Sequence, residues 1–240
     1  MDQIHEYVGR DLEAMSFAVN YHEWILEIFK PFLGKRAVEV GAGSGSFSEM
    51  LLRCQLRSLA VVEPSTKMFS QLTARIDSLR TPADVSVYNA TFGEVALEIK
   101  KSHHPDSIIY VNVLEHIEDD GHEITMIHDT LDASGRVFIF VPALPWLLSA
   151  FDEEIGHFRR YYKDELEAKC RRAGFRTLLC RYFDFSGILP WWVNYRLLNS
   201  KKMSGEAVKY YDRYVVPVAQ AFESIVTPPI GKNLIVVAEK

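Results

Sequence analysis

The chain has 240 residues, enough for one good-sized α/β domain and hardly for two. It is 48% hydrophobic and 25% charged, with a net charge of −5, which argues against general affinity for nucleic acid or anionic membranes. Three cysteines without C-x-x-C spacing suit a reducing compartment, and no signal peptide or apolar run of the ~18 residues a membrane span needs is visible, so a cytoplasmic protein is expected.

Residues 12–33 carry apolar groups at helical spacing (Phe17, Tyr21, Trp24, Ile25, Ile28, Phe29), closed by Pro31 and Gly34. A short buried strand, RAVEV (36–40), runs straight into glycines and a helix from Phe47 to Gln55. SLAVVEP (58–64) reads as a strand and Ser65–Leu79 as a helix with Ser65 at its N-cap. DVSVYNA (84–90), SIIYVNV (107–113) and GRVFIFVPA (135–143) come next as strands, with helices near Phe92–Lys100 and Ile124–Leu131 between them. Continuous apolar strands alternating with helices mean a parallel sheet covered on both faces, a doubly wound α/β fold. Lys163–Ala173 is a helix ended by Gly174, and 175–185 is a strand. The last strand lies at 231–240, and 186–230 reads as an inserted helical cap rather than a second domain.

Gly41, Gly43 and Gly45 lie between a strand and a helix, so the backbone there can wrap a polar ligand at the helix N-terminus. About 22 residues beyond Gly41, Glu63 ends the next strand, where a carboxylate can accept ribose hydroxyls. That pair alone is ambiguous and could equally announce NAD. Ser46 stands where a dinucleotide fingerprint wants its third glycine. Glu39 sits inside the strand, where its charge would repel a pyrophosphate and attract an amino group or a sulfonium.

The pattern E-V-G-A-G-S-G (39–45), with V-V-E-P-S (61–65) and N-V-L-E-H-I (112–117), resembles the class I S-adenosylmethionine-dependent methyltransferases, especially the ubiquinone-biosynthesis-like branch. The resemblance implies a seven-stranded sheet of order 3-2-1-4-5-7-6 with the last strand antiparallel. It implies S-adenosylmethionine as cofactor, with Gly41, Ala42 and Gly43 along its methionine part and Glu39 near its amino group. Glu63 would hold the ribose, Pro64 and Met68 would pack around ribose and adenine, and Asn89, Ala90 and Thr91 would read the adenine edge. Many relatives have Asp in place of Asn89. Asn112 and Val113 would line the methionine tail. NYHEW (20–24) resembles a segment that related enzymes fold over the cofactor, although Tyr21 and Trp24 read equally as core aromatics.

Methyl transfer needs alignment of nucleophile and methyl, and a hydroxyl nucleophile gains from a base. His116, just past the fourth strand, is the candidate catalytic residue, whereas His103 and His104 belong to a charged, solvent-facing loop. The run D-x-x-x-G-H-F-R-R-Y (152–161) resembles one in bacterial methyltransferases of sugar and cell-envelope biosynthesis. His157, Arg159, Arg160 and Tyr161 are therefore candidate substrate-binding residues, or else Asp152 and the arginines form an ion-pair network that fixes the loop. The amino-methyltransferase signature N/D-P-P-Y/F/W, a catalytic Pro-Cys, the acidic triad of catechol-type enzymes and any zinc spacing are all unrecognisable, so no metal is expected. A small-molecule or carrier-linked acceptor is expected instead, most readily an oxygen of a sugar, lipid-linked or natural-product-like substrate. LPWWVNYRLLNSKKM (189–203) would form a cap over the site or a helix touching a lipid-linked substrate at a membrane. An NAD-dependent oxidoreductase is the rival reading, but Tyr-x-x-x-Lys is missing near the fifth strand; a catalytically silent relative is the other.

Overall fold

The computed structural model describes residues 18–240. Phe17 and the N-terminal part of the first periodic segment lie outside that range.

Seven strands form one sheet: β1 (Arg36–Val40), β2 (Ser58–Val62), β3 (Asp84–Tyr88), β4 (Ser107–Val111), β5 (Arg136–Pro142), β6 (Arg176–Phe183) and β7 (Asn233–Glu239). Their order is β3-β2-β1-β4-β5-β7-β6, and β7 runs antiparallel to both of its neighbours, as the resemblance implied. Because residues of β1, β4 and β5 are buried on both faces, those strands are mostly apolar, with Glu39 a buried acid inside β1. One face is covered by α4 (Phe92–His103), α5 (Asp120–Thr130) and α7 (Lys163–Arg172), which bury Phe92, Ile99, Ile124, Ile127 and Leu166. The other face carries α1 (Val19–Phe29), α2 (Ser46–Leu52), α3 (Thr66–Ser78) and α10 (Val216–Ile225), with Tyr21, Ile25, Phe29, Leu51, Leu72 and Val216 in its core. The strand order reverses between β1 and β4, so the loops leaving these two strands diverge and open a crevice at their carboxyl ends.

Local chemistry places the helix starts. Ser65 caps α3 by accepting from the Met68 N–H at 3.4 Å, and Thr91 with Glu94 forms a capping box at α4. The helix expected from Ile124 begins four residues sooner, at Asp120, because the Asp119 carboxylate accepts from the His122 N–H at 2.9 Å. β4 stops at Val111, short of the expected 113, because Asn112 turns the chain with φ +54°.

The segment 186–230 carries two helical stretches, Ile188–Leu197 and Gly205–Ile225, joined and followed by irregular chain. α8 (Ile188–Trp191) runs on into a π-helical turn over Trp192–Leu197. α9 (Gly205–Tyr210) passes through a second π turn, Tyr211–Val215, into α10. Asp184, fully buried with φ +60° just past β6, ties this cap to the core. Its carboxylate accepts from Tyr21 Oη at 3.0 Å, Tyr211 Oη at 2.5 Å and the Gly187 N–H at 2.9 Å, and it pairs with Lys232 Nζ at 3.0 Å. Burial pushes this carboxyl up, but Lys232 and the donated hydrogen bonds outweigh that and hold it below the ordinary aspartate range. Asp212 in the cap accepts from the Asn20 and Tyr21 N–H groups at 3.1 and 2.9 Å, fixing the start of α1. Replacing Asp184 by Asn removes the charge that compensates Lys232, and at pH 7 this should lower stability by about 2–3 kcal/mol, read as a reduced urea midpoint at unchanged m. An unchanged midpoint would show that the cap docks independently of this carboxylate.

Candidate active site

The glycine loop after β1 is built by conformations that side chains resist. Gly41, Gly43 and Gly45 have φ of +69°, +55° and +80°. A Cβ on Gly41 would lie 2.4 Å from Val113 Cγ2, so the loops after β1 and β4 touch through a missing side chain. The Gly41 and Ala42 N–H groups donate to the Val62 carbonyl at 2.8 and 3.2 Å, which turns the loop across the end of β2. Two buried carboxyls flank it. Glu39 accepts a short hydrogen bond from Ser48, and desolvation raises its carboxyl to about 8, with the charge of Glu63 adding to the shift. Glu63 accepts from the Gly43 N–H at 2.7 Å and the Ser65 N–H at 2.8 Å, and burial keeps its carboxyl above the ordinary value in spite of those donors.

A cavity of about 170 Å³ opens beside this loop. Among the residues lining it are Tyr21, Glu39, Gly41, Ala42, Asn112, His116, His157 and Arg160, which the sequence singles out from four separate segments. Gly43 and Glu63 lie alongside at the end of β2. Pro64 is exposed, and Met68 is buried in the first turn of α3. The Asn89 amide donates to the Glu63 and Pro64 carbonyls at 2.9 and 3.2 Å, joining the ends of β2 and β3. Ala90 packs on the core, and the Thr91 N–H and hydroxyl are both engaged by Glu94 at 2.7 and 2.8 Å. Val113 packs against Gly41.

The opposite wall joins the turn after β4 (Leu114–His116) to the loop after α6 (Ala150–Glu154). The Phe158 N–H donates to the Glu115 carbonyl at 2.9 Å and holds the two together. His116 and His157 meet edge to face with ring centroids 4.6 Å apart. Burial and the neighbouring His157 push His116 down to about 3, so its imidazole is neutral and weakly basic. His157 Nδ1 lies 2.9 Å from Asp152 Oδ1, and Arg160 pairs with the same carboxylate at 2.8 Å. Asp152 also closes the capping box of α6 with Ser149. Arg159 instead pairs with Asp120 at 3.0 Å, and the Tyr161 hydroxyl, fully buried, donates to Asp120 at 2.9 Å. The run 152–161 therefore divides: His157 and Arg160 face the cavity, while Arg159 and Tyr161 brace the loop from behind.

Several lining residues are not marked individually in the sequence, although all but Lys232 lie in segments that it singles out (20–24, 112–117 and 189–203). Glu115 is fully buried, its carboxylate oxygens have no hydrogen-bond partner among the described residues, and desolvation raises it to about 7. Its place beside His116 in N-V-L-E-H-I is visible there, but its inward direction is not. His22, held neutral at about 4 by burial, comes from α1. Lys232 precedes β7, and Trp191 and Met203 come from the cap. No periodic pattern links these positions.

Sheet order, glycine loop and a strand-borne acid together define the class I methyltransferase fold. A family model described as a methyltransferase domain matches residues 13–179, and the chain belongs to that family as an S-adenosylmethionine-dependent methyltransferase. The fold is similar to the cyclopropane synthase MmaA2 from Mycobacterium tuberculosis (TM-score 0.59, 16% identity, 90% of this chain and 82% of that one). It is similar, too, to an S-adenosylmethionine-dependent methyltransferase from Archaeoglobus fulgidus (TM-score 0.59, 16% identity, 96% and 99% covered). Phosphoethanolamine N-methyltransferase 2 of Haemonchus contortus, solved with S-adenosylmethionine, gives a TM-score of 0.61 at 17% identity over 100% of this chain and 60% of that one. At such identities the likeness is one of fold. No protein of curated function matches the sequence significantly.

Gly41→Ala adds a methyl where φ is +69° and Val113 is already in contact. The expected cost is about 2–3 kcal/mol of stability, with loss of S-adenosylhomocysteine binding in calorimetry. A variant that binds normally would show that the loop does not need this close approach.

Proposed function

We propose that this enzyme methylates an oxygen of a sugar, lipid-linked or natural-product-like acceptor, and that the acceptor carries an apolar tail. The observation that carries the tail is a second cavity of about 140 Å³ under the cap, which shares Tyr21, Trp191, Met203 and Lys232 with the first. Its other walls include Pro190, Tyr195, Ala207, Val208 and Val216, so a polar head placed near His116 leaves room for an apolar chain beside it. The cap exposes Leu189, Leu197, Leu198 and Phe222 along with Arg196, Lys201 and Lys202, a composition suited to transient contact with an anionic lipid surface. No helix among the described residues is long and apolar enough to cross a membrane.

In this reading the chain is one domain with 186–230 as its cap. The residues at the carboxyl ends of β1 to β3 fit the cofactor, because the loop is open where a Cβ would close it and a cavity-lining acid lacks a cation among the described residues. Glu39 takes the amino group, Gly41, Ala42, Gly43, Asn112 and Val113 border the methionine part, and Tyr21 covers it. Glu63 takes the ribose, and Pro64, Met68, Asn89, Ala90 and Thr91 surround the adenine. When bound, S-adenosylmethionine supplies a methyl on a cationic sulfur. His116 meets the acceptor hydroxyl, while His157 and Arg160 orient it; Arg160 suits a phosphate or carboxylate on the head group. The N-V-L-E-H-I motif supports the ubiquinone-biosynthesis-like branch, and the sparse cysteines support a cytoplasmic site of action.

Thermal melting should rise with S-adenosylhomocysteine and not with NAD. Label from methyl-labelled cofactor, incubated with cell extract, should enter the organic-soluble fraction. Absence of stabilisation by S-adenosylhomocysteine would refute the methyltransferase site, and label confined to water-soluble product would refute the apolar tail.

A further inference from the structure

Glu115 is the least explained group in the cavity. It is fully buried, and among the described residues neither carboxylate oxygen has a hydrogen-bond donor. The Arg160 guanidinium acts on it through space without a hydrogen bond, so a charge in that position still calls for a closer cation or a proton. Two imidazoles stand beside it: His157 Nε2 is 3.8 Å from Glu115 Oε1, and one donor atom from each of Glu115, His116 and His157 lies within 4.8 Å of the others.

We propose that Glu115, His116 and His157 form a binding site for a divalent transition metal of the zinc type, with its open coordination position facing the acceptor end of the cavity. Two imidazoles and one carboxylate make a donor set that favours zinc or ferrous iron over magnesium and calcium. His157 is already held as a metal-bound histidine usually is, with Asp152 on Nδ1 at 2.9 Å and Nε2 left toward Glu115. Arg160 holds Asp152 in turn at 2.8 Å. The His116 ring has a hydrogen bond with the Gly156 backbone, and the Phe158–Glu115 backbone bond fixes the loop that carries His157 to the turn that carries the other two. Metal bonds of ~2.0–2.2 Å need donor atoms about 3.3 Å apart, so binding draws the three together by about 1.5 Å at most. His116 and His157 both line the cavity, so with the ion bound an acceptor oxygen reaches the fourth position and is polarised by the metal instead of meeting the two imidazoles directly, a refinement that rests on the proposed function. The three ligands come from positions 115–116 and 157, a separation that matches no zinc spacing, and for that reason no metal motif is legible in the sequence.

The test uses the full chain stripped with a chelator and then titrated with Zn²⁺ or Co²⁺. One equivalent should bind per chain, with Co²⁺ giving the visible absorption of a low-coordinate nitrogen–oxygen site. Glu115→Gln and, separately, His157→Gln should weaken Zn²⁺ binding at least 100-fold, and Asp152→Asn by 10- to 100-fold. Calorimetric binding of S-adenosylhomocysteine by each variant reports that it is folded and tests the cofactor site separately. The proposal is overturned if the folded wild type binds no stoichiometric metal, or if binding survives both substitutions unchanged. It is equally overturned if Glu115→Gln stabilises the chelated protein without altering metal uptake, which would mark Glu115 as a neutral carboxyl.

Discussion

A carboxyl group inside β1, with no cation beside it among the described residues, sets the terms for the site. Glu39 is buried, accepts from Ser48, and is raised to about 8, so at neutral pH it holds its proton unless a cation binds beside it. Its folded-state value lies above the unfolded one, so this acid costs the protein stability as pH climbs from the ordinary glutamate range toward 8. Binding a cationic group at that point removes the cost. A strand interior that tolerates such a residue gives up stability for a place where a positive ligand is favoured over an anionic one. The glycines beside it serve the same end, because their positive φ values and the missing Cβ at Gly41 let the loops after β1 and β4 enclose the space that Glu39 borders.

The far wall obeys a different logic. There the charged residues are largely spent on one another: Asp152 joins Ser149, His157 and Arg160, and Asp120 joins Arg159, Lys169 and Tyr161. These buried networks hold a loop that has little regular structure of its own, and they leave His116, His157, Arg160 and Glu115 at the cavity. The cap is anchored in a comparable way, through Asp184 and Asp212 to α1 and through Arg160 stacked 4.5 Å over the Trp191 ring. The cavity beside the glycine loop and the cavity under the cap meet at Tyr21, whose hydroxyl bonds to Asp184 and whose ring lies 5.0 Å from Lys232 Nζ.

What can be read from the sequence tracks how local the determining interaction is. RAVEV, its glycines and SLAVVEP place two strands and a turn because burial and backbone conformation are properties of neighbours in sequence, and the sheet order then comes with the family resemblance. Ser65 is legible as an N-cap for the same reason. Where Asn112 leaves β4 is not, since a left-handed asparagine is set by the Phe140 carbonyl across the sheet. The split within 152–161 is hidden because adjacent arginines look alike until Asp152 takes one and Asp120 the other. Glu115 and Lys232 become visible as site residues only in three dimensions, because what marks them is direction and burial.

The coupling between Glu39 and a cationic ligand is the claim on which the cofactor site rests, and calorimetry of S-adenosylhomocysteine binding in buffers of different ionisation enthalpy tests it most directly. At pH 6 to 7, below the raised value of Glu39, binding should release close to one proton and tighten as pH rises toward 8, and Glu39→Gln should abolish the release. Affinity and heat that are independent of pH and buffer across that range would contradict the account.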